Sequence, residues 1–162
     1  MASSEHESRA ISDASDLSHP VLQKLFIYWD GKRGQRPYPR RADVDPIEIP
    51  MLLPYVILVD AVADSGDFIF RVAGTMVTEA SGMELTGKRL RLLPLSPIGT
   101  IVAEFSQVIE HAEPRYSAGP LTNPLDQYER VERLLLPLTK AGEKVEQILG
   151  GVVFHNASNR SF

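Results

Sequence analysis

Phe68-Ile69-Phe70-Arg71-Val72-Ala73-Gly74-Thr75 is the stretch whose reading decides the architecture. Phe68, Phe70 and Val72 recur with period two, which predicts a strand with those residues on one face, and Gly74 ends it. Thr75 then caps a short helix through Met76, Val77 and Ala80 that stops at Gly82, and Leu85-Thr86-Gly87-Lys88 reads as a turn. Just upstream, Tyr55-Val56-Ile57-Leu58-Val59-Asp60-Ala61-Val62 is apolar on both alternating faces and β-branched, so it should be a strand covered on both sides. Asp64-Ser65-Gly66-Asp67 leaves room only for a tight connection, and the two strands form an antiparallel hairpin.

Downstream, Ser96-Pro97 reads as a cap followed by a proline at the first helical position. Ile98, Ile101, Val102, Phe105, Val108, Ile109 and Ala112 then mark one face of a long helix that Pro114 terminates. Strands follow over 115–121, 128–138 and 145–155, separated by turns at Thr122-Asn123-Pro124 and Lys140-Ala141-Gly142-Glu143. Gly150-Gly151 within the last strand marks a bulge or a close approach by another backbone or ligand, the bulge being the commoner cause. Upstream of the hairpin, Leu17, Val21, Leu22, Leu25, Phe26 and Trp29 fall on a helical stripe over 18–30, with Ser18 and Pro20 in its first turn and Gly31 at its end. This helix either covers the outer face of the sheet or pairs with a second copy, and a homodimer through it is predicted. Asp45-Pro46-Ile47-Glu48 carries a capping-box pattern, cut to one turn by Pro50.

Composition limits the rest. The chain has 162 residues, 43% hydrophobic, with 17 Lys+Arg against 21 Asp+Glu, which suits one globular domain with a real core. A net charge of −4 argues against coating nucleic acid or anionic lipid, and Lys32, Arg33, Arg36, Arg40 and Arg41 read as a solvated basic loop. The longest nearly apolar run, over 49–59, falls short of the ~20 residues of a membrane span, and a cytoplasmic location is expected. With no cysteine, disulfides, thiolate zinc sites and thiol nucleophiles are excluded. The predicted organisation is a disordered lead over 1–16, an N-terminal amphipathic helix and the start of the basic connection over 17–36, one domain over 37–155, and a flexible tail over 156–162.

The order helix, strand, strand, short helix, turn, long helix and three strands resembles the PAS fold preceded by an extra helix. Phe70-Arg71-Val72-Ala73-Gly74-Thr75, then Gly82, then Leu85-Thr86-Gly87-Lys88 is similar to the second strand, glycine turn and short helices of PAS domains, particularly the small single-domain bacterial subfamily. Arg41-Ala42-Asp43-Val44-Asp45-Pro46, Ile49-Pro50, Leu53-Pro54 and Asp60 look like that subfamily's entry into its first strand. Leu136-Pro137-Leu138, Gly142 and Leu149-Gly150 look like its final hairpin. The resemblance implies an α+β fold: a five-stranded antiparallel sheet with helices on one face, plus the additional N-terminal helix. It also implies a sensory or regulatory module that holds a small molecule or cofactor between sheet and helices and signals through protein contacts. With no effector segment after Phe162, output is expected through an unidentified partner protein. A ligand-free dimerisation or adaptor protein of the same fold is the alternative.

If a cavity exists, Phe70, Val72, Met76, Phe105, Tyr116, Leu134 and Leu136 are its candidate lining, Tyr116 being the first choice to orient a ligand; the competing expectation is that the same side chains form a filled core. Arg71, next to Phe70, should face away. No cofactor is specified. Lack of cysteine excludes cysteinyl-flavin photochemistry. His111 lies about 120° from the centre of the long helix's apolar stripe, which argues against haem ligation there, and His6, His19, His111 and His155 show no metal-ligand spacing. No hydrolase, zincin or phosphate-loop motif occurs, so no enzymatic activity is expected. Asp60 and Glu132 would be the best acid or base candidates for one.

Overall fold

The computed structural model describes residues 6–121 and 128–156. Six strands form one antiparallel sheet in the order β1-β4-β5-β6-β2-β3. They are β1 (Glu7–Ala10), β2 (Val56–Val62), β3 (Asp67–Ala73), β4 (Arg115–Pro120), β5 (Tyr128–Leu138) and β6 (Gln147–Asn156). Helix α1 (Pro20–Arg33) covers one face, called outer here; α2 (Thr75–Ser81) and α3 (Ile98–His111) cover the inner face. Among the described residues no helix is long and apolar enough to cross a membrane.

The sixth strand is the departure from the five expected. β1 comes from the lead-in expected to be disordered, and it pairs with β4 from Glu7↔Ala118 to Ala10↔Arg115. Three of its four residues are polar, so neither composition nor alternation marks it. What holds it is tertiary: Ile11 is buried, its N–H donates to the Pro114 carbonyl at 3.2 Å, and the Arg9 guanidinium lies 4.6 Å from the Tyr116 ring centroid. Short, polar strands are what sheet edges tolerate. Residues 1–5, the expected turn at Thr122-Asn123-Pro124 and residues 157–162 lie outside the described residues.

On the outer face α1 buries Leu22, Leu25, Phe26 and Trp29 against β5 and β6, and the Trp29 indole N–H donates to the Pro137 carbonyl at 2.9 Å. The helix therefore takes the first of its two predicted roles, covering the sheet of its own chain. Its cap is His19, with Pro20 at the first helical position, and it runs through Gly31 to end at Gly34, where φ is 62°. The paired glycines of β6 make this packing possible, and there is no bulge at them: Gly150 and Gly151 stay in register with both β2 and β5. A Cβ on Gly151 would lie 2.8 Å from Leu25 Cδ2, and one on Gly150 would lie 2.7 Å from Ile57 Cγ1. The close approach comes from side chains on the two faces.

The bulge is in β3 instead. Leu58 pairs with Val72 and Val59 with Phe70, which leaves Arg71 as an extra residue and reverses the facing of everything beyond it. Two caps also differ from expectation: Pro97 occupies the cap position of α3, and Gly74 that of α2. Asp45 caps the Pro46–Glu48 turn, accepting from Ile47 N–H at 3.0 Å. Glu48, expected to close the capping box, instead accepts from the Tyr28 hydroxyl at 2.7 Å and pairs with Lys32, tying that turn to α1.

Candidate functional site between the sheet and the inner helices

The inner helices and the sheet sandwich an apolar core that contains a cavity of about 50 Å³. Phe70 from β3, Val77 from α2, Phe105 from α3 and Val131 from β5 are among its walls. Phe68 and Phe105 pack at 5.5 Å between ring centroids with the planes tilted by 56°. Among the described residues the wall has two polar members, Ser81 and Arg133, both buried.

Arg133 belongs to a cluster of charged and polar groups at the β4–β5 end of the inner face. It pairs with Glu104, on the buried side of α3. Glu104 Oε1 accepts from Arg133 Nη2 at 2.9 Å, from Arg133 Nε at 3.3 Å and from the Ser117 hydroxyl at 2.6 Å. Its other oxygen meets the His6 imidazole, just ahead of β1. Ser117 and Arg133 face each other across the β4–β5 ladder, so both project toward α3. A buried carboxylate that keeps its charge needs this density of partners. The cluster also fastens β1, because His6 lies so close over Gly119 that a Cβ there would stand 2.6 Å from its Nδ1.

Only two of the seven sequence candidates meet in the cavity: Phe70 and Phe105. Tyr116, Leu134 and Leu136 lie on the opposite face, in the core under α1, which corrects Tyr116 as the first ligand-orienting choice. Its hydroxyl donates to Glu132 Oε1 at 2.8 Å, and burial, with that carboxylate beside it, raises its pKa well above the ordinary phenol value. Val72, turned outward by the β3 bulge, is partly exposed in a shallow apolar groove with Leu58 and Leu149. Met76 is partly exposed and lines a different crevice with His19 and His155. The facing error on β5 has a simple source: Leu134, Leu135 and Leu136 are all apolar, so the strand gives no sign of which alternate faces the inner helices, and the odd positions do.

Arg71 does face away from Phe70, as read from the sequence. It pairs with the buried Asp60 at 2.7 Å, which also accepts from Lys140 at 3.0 Å and Gln147 at 2.7 Å. Burial pushes the Asp60 carboxyl up, but these three bonds outweigh it and hold the pKa below the ordinary aspartate value. His111 is exposed at the end of α3, next to Glu110. The sequence reading missed Glu104, Arg133, Ser117 and His6. One signal was available: at 100° per residue from Ile98, Glu104 falls near 240°, at the margin of the apolar stripe rather than opposite it. Among the described residues no group of three or more His, Asp or Glu is placed to hold a metal ion.

These layers, with two helices over the inner face and the hairpin from Val56 to Ala73 at one sheet edge, match a known family. The model of a PAS domain family, PAS_5, covers residues 17–153. The chain belongs to the PAS domain family. No curated protein matches it significantly. Among solved structures, an RNA-binding light-oxygen-voltage receptor superposes with a TM-score of 0.53 at 11% identity, covering 98% of this chain and 40% of that one. A sensory box histidine kinase/response regulator from Burkholderia thailandensis E264 aligns with a TM-score of 0.46 at 10% identity over 72% of this chain and 89% of its own. This PAS domain thus spans less than half the length of the light-oxygen-voltage receptor, and at such identities the likeness extends to the fold. As a PAS domain, the chain is a sensory or regulatory module in general character.

Proposed function

We propose that this PAS domain is a cytoplasmic regulatory module that acts through protein contacts with its inner core packed by its own side chains. The size of the cavity supports the reading. About 50 Å³ is a third of the ~150 Å³ that accommodates a benzene ring and well under the ~300–1,000 Å³ of ordinary ligand pockets. Asp60 is engaged by Arg71, and Glu132 by Tyr116 and His155, and the reading gives them structural rather than catalytic roles. Native mass spectrometry of gently purified protein tests it. A mass equal to the polypeptide is the expected result, and a retained small molecule stoichiometric with the chain would overturn it.

A second reading, small-molecule sensing in the inner core, draws on Arg133, a guanidinium in the wall of an otherwise apolar cavity. It predicts the retained mass, and loss of it in Arg133→Met.

The same reading takes the protein as a homodimer through its outer layer. Ile27 on α1 and Ile47 and Met51 on the adjoining segment are 60%, 84% and 82% exposed, which supplies apolar surface for a second copy. Because the stripe of α1 is committed to its own sheet, removal of the helix would expose core. Ile27→Glu is the appropriate variant, and light scattering should show its dimer dissociating at concentrations where the parent stays paired.

A further inference from the structure

β6 outruns β2. β2 opens at Val56 opposite Gly151, whereas β6 continues to Asn156 paired with β5 alone. Beside this overhang lies a crevice of about 230 Å³ walled by His19, Tyr55, Met76, Tyr128, Phe154 and His155. Among the described residues only Phe154 is shared with the wall of the inner cavity.

Two imidazoles face one another in it, with ring centroids 6.0 Å apart and planes at 64°. Their hydrogen bonds differ in a way that fixes their tautomers. His19 caps α1: its Nδ1 accepts from Val21 N–H at 3.2 Å, so this nitrogen is bare and the ring proton is on Nε2. His155 is the reverse. Its Nε2 lies 2.6 Å from Glu132 Oε2, and in the neutral ring the proton sits on Nε2, donated to the carboxylate that accepts the Tyr116 hydroxyl on its other oxygen, so that Nδ1 is bare. Burial favours the neutral form of His19 by lowering its pKa, against the opposing pull of Glu132, and a charge on His155, when that ring is protonated, lowers it further. With both rings neutral, one keeps a free donor and its neighbour a free acceptor. Tyr128 and Phe154, 5.5 Å apart and tilted by 50°, add aromatic surface, and Met76 a polarizable edge.

This arrangement does not suit a metal, because ligation through His19 Nε2 would move its proton to Nδ1 and break the α1 cap. Nor does it suit an anion: no Lys or Arg is among the described wall residues, and the Glu132 carboxylate stands behind His155. We propose that the crevice binds a neutral, planar heteroaromatic molecule of one or two rings that carries an N–H donor beside a ring-nitrogen or carbonyl acceptor, the chemistry of a nucleobase. The ligand donates to His155 Nδ1, accepts from His19 Nε2–H, and lays its plane against Tyr128 and Phe154.

Long-range ¹H–¹⁵N spectra of the imidazoles in the full chain, titrated with adenine and with cytosine, test the proposal. The free protein should show His19 protonated at Nε2 and bare at Nδ1, and His155 the opposite. Either probe should shift both rings saturably with Kd of about 1 mM or tighter. His155→Phe, which keeps an aromatic ring and removes the acceptor, should weaken binding at least tenfold. His19→Asn retains a capping side chain, serves as the variant that keeps the fold, and should weaken binding several-fold. Absence of saturable shifts with both probes, reversed tautomers in the free protein, or undiminished binding in both variants would overturn the proposal.

Discussion

The two faces of the sheet are closed by opposite means. The outer face, under α1, is an apolar layer centred on Leu22, Leu25, Trp29, Leu134 and Leu136, and its buried aspartate, Asp60, draws on cations that stay about half exposed: the side chains of Arg71 and Lys140 are 54% and 50% accessible. The inner face places a complete ion pair out of water, with the Glu104 and Arg133 side chains only 4% and 7% accessible, beside a small residual cavity. A carboxylate served by wet cations can lose one partner and be rehydrated. One buried with its guanidinium cannot, so the inner face depends on a few specific contacts and the outer face on volume and shape.

The seam between the two covers should be the most sensitive point. Gly74 opens α2 on the inner side, and a Cβ there would lie 2.2 Å from the Leu53 carbonyl oxygen and 2.4 Å from that of Pro54. Leu53 itself packs against the outer core. Backbone atoms cannot rotate aside, so Gly74→Ala should cost more than about 4 kcal/mol, the range reserved for severe disruption, or abolish folding altogether. Urea midpoints, or soluble yield if no transition survives, give the answer. A loss below about 1 kcal/mol would mean that the covers are not locked together there.

Next in size is Glu104→Ala, expected to cost about 3–5 kcal/mol because it strands the Arg133 guanidinium, a fall in Tm of very roughly 6–20 °C for a chain of this length. Leu22→Ala in the outer core should cost a comparable ~2–5 kcal/mol for a different reason, the cavity it leaves. The double variant Glu104→Leu with Arg133→Met separates the two mechanisms. Removing both charges should recover most of the single-variant loss. If the double variant is as unstable as Glu104→Ala, the inner face is held by packing like the outer one, and the contrast fails.

This contrast also explains how far the sequence could be read. Element order, the hairpin at the centre of the opening stretch, the α3 stripe and an apolar cover on the outer face were all legible, because period and turn residues carry that information locally. Facing was not. Alternation groups Val72 with Phe70, and one extra residue at Arg71 turns it outward. Leu134, Leu135 and Leu136 form a run with no polar alternate to break the tie between the two faces. β1 was illegible for another reason: Glu7, Ser8 and Arg9 have no strand signal, and only pairing with β4 orders them. The Glu104 cluster draws His6, Ser117 and Arg133 from three distant segments, a juxtaposition that no local pattern encodes.

Smaller effects test the outer face itself. Gly151→Ala places a methyl 2.8 Å from Leu25 Cδ2 and 3.0 Å from Leu22 Cδ2. Both are the ends of flexible side chains, so the helix can shift or repack at about 1–3 kcal/mol, measured as a lowered urea midpoint with an unchanged slope. A neutral result would show that α1 rides on the sheet with slack.

The least costly test concerns the rim of that face. Asp60 has its pKa held below the ordinary value by Arg71, Gln147 and Lys140 against the opposing effect of burial. A carboxyl whose folded pKa lies below its unfolded one binds fewer protons in the native state. The stability it contributes is therefore present in full above the unfolded value near 3.9 and is lost as the pH falls through the folded one. Asp60→Asn removes that contribution. The variant should be less stable than the parent at pH 7, and the gap between them should narrow as the pH drops below about 5. Urea midpoints collected from neutral to acid pH measure the gap directly. If it stays constant, the ion pairs at the rim do not outweigh the burial of Asp60, and the exposed cations of the outer face lose the role that sets them apart from the buried Arg133.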